Sequence, residues 1–429
     1  MRRLLFLALL IYFLIFLSLT TLTGSIIALA IPLVIYLAAG LLFGPEELKL
    51  VASRQLSAER VSSGTAVHVK LSITNNGSRL EEALIEDRFP AALEVIEGES
   101  RIFTSVERGQ TVELAYTIRG RRGLYHFPGV QITASDRLNL FWRQALIEVS
   151  NRLFVLPETW QLRKVSIRPR RTRVFSGTIP ARLGGAGVTL FGVREYRPGD
   201  PMHWINWKAS TRSASDTFYT NEFEQERVAD VGLVLDVRRR ANTQSDAGSI
   251  FEHSIEATAA LSESFLSDGN RVGLLLYGSH LDWTLPGYGK LQRERILRVL
   301  ARATPGTSQV FDRLEHLPAR FFPSHSQLVV ISPLLKDDLK TLVLLRARGY
   351  QVLVISPDLV SFERANMNQG RHIDLALRTA RIERRLLLSK LQEAGIVVLN
   401  WQVQIPFHQA AHAALSRPAL WFRNLDIRL

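Results

Sequence analysis

Three times in its C-terminal half this chain runs through a helical stretch, stops at a glycine and continues as a short apolar run. The first helix opens with a capping box, Ser249-x-x-Glu252, and stops at Gly269 before RVGLLLY at 271–277. The second begins at Asp337-Asp338 and ends with Arg346, Arg348 and Gly349 before QVLVIS at 351–356. Acids at its start and bases at its end complement the helix macrodipole. The third, residues 381–394, stops at Gly395 and feeds IVVLNW at 396–401. Glycine just past a helix supplies the left-handed cap. Two further apolar runs, 231–236 and 328–332, complete the set. Strands that are apolar on both faces need helices above and below a mainly parallel sheet. Residues 228–429 are therefore expected to form a doubly wound α/β domain. Ligands of such sheets sit beyond the strand C-termini, here near Asp236, Tyr277, Ser332 and Ser356.

With 429 residues there is room for more than this one domain. At the N-terminus, residues 4–19 and 26–43 are nearly unbroken apolar runs, joined by Thr20-Thr21-Leu22-Thr23-Gly24-Ser25 without a charge. Each run approaches the ~17–25 residues that cross a hydrocarbon core. The expectation is a transmembrane helical hairpin over 1–47, with spans about 4–22 and 26–43. A cleaved signal peptide fits less well, because the apolar character resumes far beyond its core region. A single helix of this length would reach roughly 60 Å, twice the bilayer core. Arg2 and Arg3 before the first span, and Lys49 and Arg54 after the second, place both ends on the cytoplasmic side. The N-terminus and soluble domains are then cytoplasmic, on a two-span anchor in the inner (cytoplasmic) membrane.

From residue 48 the period changes to two. Val67, Val69, Leu71 and Ile73 alternate with polar residues up to the Asn75-Asn76-Gly77 turn, and Val112, Leu114, Tyr116 and Ile118 repeat the alternation. Residues 48–157 are expected to be an all-β, Ig-like sandwich of about seven strands. The stretch 158–227 reads as a basic connector. Its bases are Arg163, Lys164, Arg168, Arg170, Arg171, Arg173, Arg182, Arg194, Arg197, Lys208 and Arg212, against the acids Glu195 and Asp200 as far as Ser213. Most of the net charge of +13 lies here. A solvated linker and attraction to an anionic leaflet both remain open for it. Nucleic acid is disfavoured, since no recognition helix, zinc module or stacking platform accompanies the bases.

Within the connector lies a dense motif: Arg194-Glu195-Tyr196-Arg197-Pro198-Gly199-Asp200, then Ile205-Asn206-Trp207-Lys208-Ala209-Ser210-Thr211-Arg212. Pro198-Gly199 is a turn pair, and Asp200 is suited to hold it by accepting a backbone N–H. Beyond it an extended segment would send Ile205 and Trp207 to the core and Trp204 to a partly covered edge. Arg194, Glu195, Arg197 and Arg212 would form a paired network around the turn. The preferred reading is a rigid brace, and its rival is a surface for a partner.

This motif, followed by Phe223-Glu224 and a strand ending at Asp236, resembles the bacterial and archaeal family of unknown function 58, whose members resemble von Willebrand factor A domains. A second likeness is Arg121-Arg122-Gly123-Leu124-Tyr125 with Ser135-Asp136-Arg137-Leu138-Asn139-Leu140-Phe141, where Arg137 and Asn139 depart from the family's Asp-Pro-Phe-Gly-Leu. The resemblance extends over nearly the whole chain. It implies a von Willebrand factor A-like α/β domain and a non-enzymatic adaptor. Such a protein would work with a MoxR-type AAA+ ATPase in assembling or activating a client protein. No cofactor is implied. The alternative is a structural envelope component or an anionic-lipid-binding protein with no ATPase partner.

A-type domains often bind Mg²⁺ through Asp-x-Ser-x-Ser after the first strand. Here Asp236 is followed by Val237, Arg238, Arg239 and Arg240, so both serine positions hold cations, and Ser332-Pro333 replaces a Ser-Asp pair. A hard cation wants oxygen ligands. The expectation is a degenerate, metal-free loop of Asp236, Arg238, Arg240 and Ser332, in which Arg238 or Arg240 pairs with Asp236, or captures an acidic group of a partner. No catalytic residues are assigned. The chain has no cysteine, no Gly-x-Ser-x-Gly elbow is present, and His203, His253 and His280 lie in no nucleophile context.

Overall fold

A computed structural model describes residues 2–22, 24–42, 48–135, 142–162, 173–212, 217–242, 244–245, 248–278, 282–306, 311–366 and 371–415. The chain divides into two compact units, Met1–Leu156 and Pro157–Leu429.

The first unit opens with α1 (Arg2–Thr21) and α2 (Gly24–Leu42). These are helices, but the expected transmembrane hairpin is not upheld. Among the described residues no helix is long and apolar enough to cross a membrane. The unbroken apolar part of α1, residues 4–17, covers only ~21 Å, and residues 26–42 of α2 cover ~25 Å, against a core of ~30 Å. Arg2 and Arg3 begin α1 and Ser18, Thr20 and Thr21 end it; Pro32 lies inside α2. The two-span anchor in the inner membrane, and the cytoplasmic placement that rests on it, fall with the spans.

The β part of this unit contains β1 (Leu50–Leu56), β2 (Arg60–Ser62), β3 (Val67–Asn75), β4 (Leu80–Arg88), β5 (Leu93–Gly98), β6 (Arg101–Val106), β7 (Thr111–Gly120), β8 (Gly123–Ser135) and β9 (Trp142–Leu156). They form a four-stranded sheet, β1-β3-β7-β5, and a five-stranded sheet, β2-β9-β8-β4-β6. Alternation sets the core. Val67, Val69, Leu71 and Ile73 of β3 are buried with Leu114, Tyr116 and Ile118 of β7, alongside Ile85, Phe127, Ile132 and Leu153 from the other sheet. Arg54 is no flank of a membrane span. Its buried guanidinium donates through Nε to Asp87 Oδ2 at 3.0 Å and through Nη1 to the Val149 carbonyl at 2.6 Å. The Tyr116 hydroxyl donates to the same carboxylate at 2.6 Å. Burial, then the Asp87 charge, holds that hydroxyl well above the ordinary tyrosine range.

In the second unit, β10 (Arg173–Glu195) pairs antiparallel with β11 (Tyr219–Val228) through several register shifts. The expected connector thus carries a β ribbon, while Arg163, Lys164, Arg168, Arg170 and Arg171 lie outside the described residues, as do residues 136–141 of the second family likeness. Between the ribbon strands sits the one-turn helix α3 (Trp207–Ser210). Beyond them come β12 (Asp230–Asp236), a short hairpin of β13 (Gln244–Ser245) and β14 (Gly248–Ser249), β15 (Arg271–Tyr277), β16 (Asp282–Gly287), β17 (Gln327–Ile331), β18 (Gln351–Pro357) and β19 (Val397–Trp401). The main sheet has the order β16-β15-β12-β17-β18-β19. All its pairs are parallel except the edge pair of β15 with β16.

Every residue of β12 and β17 is buried, as a strand covered on both faces requires. The helices are α4 (Ile250–Ser267), α5 (Gly289–Arg302), α6 (Asp338–Ala347), α7 (Leu359–Asn366), α8 (Arg371–Glu393) and α9 (Phe407–Leu415). Ser249 caps α4 by accepting the Phe251 N–H at 3.2 Å. Gly269, Gly349 and Gly395 follow their helices at φ of +77°, +95° and +75°, the left-handed geometry that lets the chain turn back into the sheet.

Candidate functional site

β12 and β17 lie side by side at the centre of the sheet and bring Asp236 and Ser332 together at their C-terminal ends. The Ser332 hydroxyl donates to Asp236 Oδ2 at 2.6 Å. After Asp236 the chain is held by a bridge to the loop that follows α5: Gly306 N–H reaches the Val237 carbonyl at 2.7 Å, and Arg239 N–H the Gly306 carbonyl at 3.0 Å. A 3₁₀ turn, Arg239–Ala241, then reverses the backbone. This path folds Arg238 inward, leaving it fully buried, and turns Arg239 and Arg240 outward.

The Arg238 guanidinium lies between two carboxylates. Toward Asp236 it donates from Nε to Oδ1 at 2.9 Å and from Nη2 to Oδ2 at 2.8 Å. Toward Asp338, the first residue of α6, it donates from Nη1 to Oδ1 at 2.9 Å and from Nη2 to Oδ2 at 2.8 Å. Its Nη1 also reaches the Asp312 carbonyl at 3.2 Å. Burial by itself would lower the pKa of this guanidinium. The hydrogen bonds and charge of Asp236, and then of Asp338, outweigh that and hold it above its ordinary range, so it stays charged. Burial raises the Asp338 carboxyl, while the Arg238 hydrogen bonds pull it down.

Outside this core, Arg240 donates from Nη2 to Asp337 Oδ2 at 2.8 Å and from Nε to the Asp312 carbonyl at 2.7 Å. Asn242 ties the loop from within, its amide donating to the Asp236 and Arg238 carbonyls at 2.9 and 3.0 Å. Tyr277, at the end of β15, donates to the Arg313 carbonyl at 2.5 Å. Burial pushes its hydroxyl up to about 12. A second, half-buried guanidinium closes the neighbouring strand ends. Arg384 of α8 donates to the Pro333, Ser356 and Pro357 carbonyls at 2.9–3.2 Å and to Asn400 Oδ1 at 2.8 Å, with Asp358 at 3.2 Å. The crevice beyond the strands is thus filled by arginine at two places.

A divalent ion of the kind A-type domains often bind does not fit this arrangement. Both oxygens of Asp236 and both of Asp338 already accept guanidinium N–H groups, and a fixed positive charge sits among them. Among the described residues no group of His, Cys, Asp or Glu is disposed to hold a metal ion.

The second candidate surface is the motif. Asp200 accepts the Arg197 N–H at 2.9 Å across the turn, where Gly199 has a φ of +108°. The same carboxylate takes Arg194 in a fork, Nη1 to Oδ2 at 2.8 Å and Nη2 to Oδ1 at 2.7 Å. Glu222 adds a contact to Arg194 Nε at 3.7 Å. The network around the turn is therefore Arg194, Asp200 and Glu222, in place of the expected Arg194, Glu195, Arg197 and Arg212. Arg194, through its hydrogen bond first and then the backbone of Arg197, keeps the Asp200 carboxyl below the usual range.

Asn206 does not continue an extended segment. Its side chain caps α3 by accepting the Ala209 N–H at 3.0 Å and pins it to β11 through Asn221 at 2.7 Å. That turn carries Trp207 outward. Its side chain is 61% exposed, meets Phe218 (52% exposed) edge-on at 5.9 Å, and lies on the same segment as Met202, 78% exposed. The expectation of Trp207 in the core is corrected. Glu195, Arg197, Gly199, Lys208 and Arg212 are also exposed, while Tyr196, Trp204 and Ile205 are half-buried.

Asp338, Asp312, Asn242 and Arg384 were missed as site residues. Asp337-Asp338 carried a signal, two acids at a helix start, but the macrodipole accounted for it without a partner. Asp312 and Arg384 stand far from Asp236 in sequence, and Asn242, six positions on, has nothing local to mark it. His280 lies outside the described residues.

Comparison with known proteins bears on this same stretch. Residues 192–368 match the family described as "Protein of unknown function DUF58". The matched stretch takes in the motif, Asp236, Arg238, Ser332 and Asp338, and ends before Arg384. Over 354 residues the chain is 28% identical to Uncharacterized protein YeaD of Bacillus subtilis (strain 168), covering 80% of this chain and 83% of that protein. Likeness to solved structures is slight. A FixG-related protein from Vibrio parahaemolyticus is 14% identical over 25% of this chain and 95% of its own, with a TM-score of 0.18. A non-cellulosomal cohesin from Archaeoglobus fulgidus is 14% identical over 25% and 91%, also at 0.18. Scores this low carry no argument about the fold.

Proposed function

We propose that this chain is a non-enzymatic adaptor that binds other proteins through the DUF58 motif face. Its second unit would serve as a von Willebrand factor A-like scaffold, and a MoxR-type AAA+ ATPase would act with it on a client protein. The observation that carries the reading is the exposed group Met202, Trp207 and Phe218 with Lys208, Arg197 and Arg212 on the same segment. Large apolar side chains among bases, on a backbone fixed by the Arg194–Asp200 fork and the Asn206 cap, have the makings of a binding hot spot. Tryptophan and arginine are the residue types that dominate such spots. The resemblance to family 58 supplies the class of partner.

The test is capture of a MoxR-type ATPase from the same genome by the full chain, with and without ATP, beside Trp207→Ala and Arg197→Glu. The wild type retains the ATPase, and both variants lose it while melting where the wild type melts. Capture that is indifferent to both substitutions would move the partner surface elsewhere, and no capture in either nucleotide state would remove the ATPase from the reading.

A further inference from the structure

We propose that Arg238 is a built-in cation, standing permanently where a divalent ion would otherwise bind, and that the oxygens around it form a divalent-cation site once the guanidinium is removed. The inference does not depend on which partner the motif face takes.

Three observations carry it. The first is the donor set. Asp236 Oδ1 and Oδ2, Asp338 Oδ1 and Oδ2 and the Asp312 carbonyl all point at one guanidinium from 2.8 to 3.2 Å. Ser332 Oγ is 2.6 Å from one of these oxygens. They come from the end of β12, the end of β17, the start of α6 and the loop between α5 and β17, so they surround a point rather than line a surface. Carboxylate, carbonyl and hydroxyl oxygens are what a hard divalent ion selects.

The second is charge. Two buried carboxylates face a single guanidinium, which leaves one negative charge uncompensated within this shell. Arg240 does not supply the difference, because it is engaged outside with Asp337 and Asp312. An ion of charge two would balance the pair. The third is a spare acceptor. Asn242 is buried beside Asp236, and its Oδ1 has no hydrogen-bond partner among the described residues, although its amide nitrogen is doubly used.

The wild-type protein, on this account, neither needs nor binds a divalent ion at this position. Its loop is fixed in one arrangement whatever the supply of metal.

The experiment uses the full chain with Mn²⁺ as the probe, followed by titration calorimetry and by thermal melting with and without EDTA. Arg238→Ser opens the shell, Arg238→Lys keeps a positive charge in it, and Arg238→Ser with Asp338→Asn removes a donor. Wild type and Arg238→Lys should show no saturable binding and the same melting temperature in Mn²⁺ and in EDTA. Arg238→Ser should bind Mn²⁺ saturably and melt higher in its presence than in EDTA, and a folded Arg238→Ser that binds no Mn²⁺ overturns the proposal. The double variant should lose that gain. Binding by wild type as tight as by Arg238→Ser, or a gain that survives Asp338→Asn, overturns the proposal. If Arg238→Ser does not fold in EDTA, refolding from denaturant gives the answer: rescue by Mn²⁺ supports the built-in cation, and failure to refold in Mn²⁺ overturns it.

Discussion

Residues 236 and 238 show how one side chain decides what a strand end does. A carboxylate buried without a partner costs several kcal/mol, and truncating one member of a buried pair typically costs about 3–5 kcal/mol. Arg238 serves two carboxylates, so the loop, β17 and α6 are all tied to it. Tyr277 stands next to this group and gives a pH readout. Its hydroxyl is raised to about 12 in the folded chain, above the ordinary value of ~10. A folded pKa above the unfolded one contributes stability that is complete below pH ~10 and is lost as pH rises toward 12. Urea melts across that range should therefore show wild type losing stability faster with pH than Tyr277→Phe; equal slopes would mean that Tyr277 ionises as readily folded as unfolded. That an arginine, Arg238 or Arg240, would pair with Asp236 was legible from the sequence, because a cation in a ligand's place must find a counter-charge, and the structure selects Arg238. Asp338 was not, since a hundred residues separate it from Arg238 and its local role at a helix start was sufficient. Trp207 failed for a different reason. Period-two projection holds only while the chain is extended, and the Asn206 cap ends the extension one residue before the tryptophan.

Elements were easier to read than residues wherever a local rule and a tertiary need agreed. Helix, glycine and apolar strand recur because a parallel sheet must return its chain after every helix, and the left-handed glycine does so in one residue. The N-terminal runs misled because hydrophobicity and helicity were both present while the unbroken length was not. The ribbon of β10 and β11 was hidden by its glycines and bases, which give no clean alternation. One element-scale contact is especially unforgiving. Gly278, directly after β15, has a φ of +141°, and a Cβ there would lie 2.4 Å from the Arg238 nitrogen and 2.7 Å from its Cα. Backbone cannot yield as a flexible side chain does. Gly278→Ala should lower stability by about 1–3 kcal/mol or more, through the left-handed strain and the displaced loop together. Denaturant titration reads this as a lower midpoint at unchanged slope. An unmoved midpoint would show that the loop slides freely past β15.

At the scale of the molecule, the two units keep separate hydrophobic cores, and buried guanidinia recur in both: Arg54 in the sandwich and Arg238 at the strand ends, with the half-buried Arg384 beside the latter. Each gathers oxygens from segments distant in sequence, in a chain that has no cysteine to cross-link them. Because the buried cluster of the sandwich is drawn entirely from residues between Val67 and Val155, the fragment 48–156 should fold alone. Its melt should be a single cooperative transition with coincident far- and near-UV signals. A broad transition without near-UV signal would show that this core needs the rest of the chain. The split into a sandwich and an α/β half was legible because the hydrophobic period changes from two to helical spacing, and neither pattern depends on contacts between the halves.

The pairing of Asp236 with a partner only two positions away has a consequence for how the chain is made. Asp338 leaves the ribosome about a hundred residues after Asp236. Throughout that interval the carboxylate already has its counter-charge within reach. A metal-dependent version of the same strand end would have to wait for an ion from its surroundings, and its yield would follow the cell's supply of that ion. With Arg238 two positions on, the counter-charge for Asp236 is supplied by the chain itself, in the order of its synthesis.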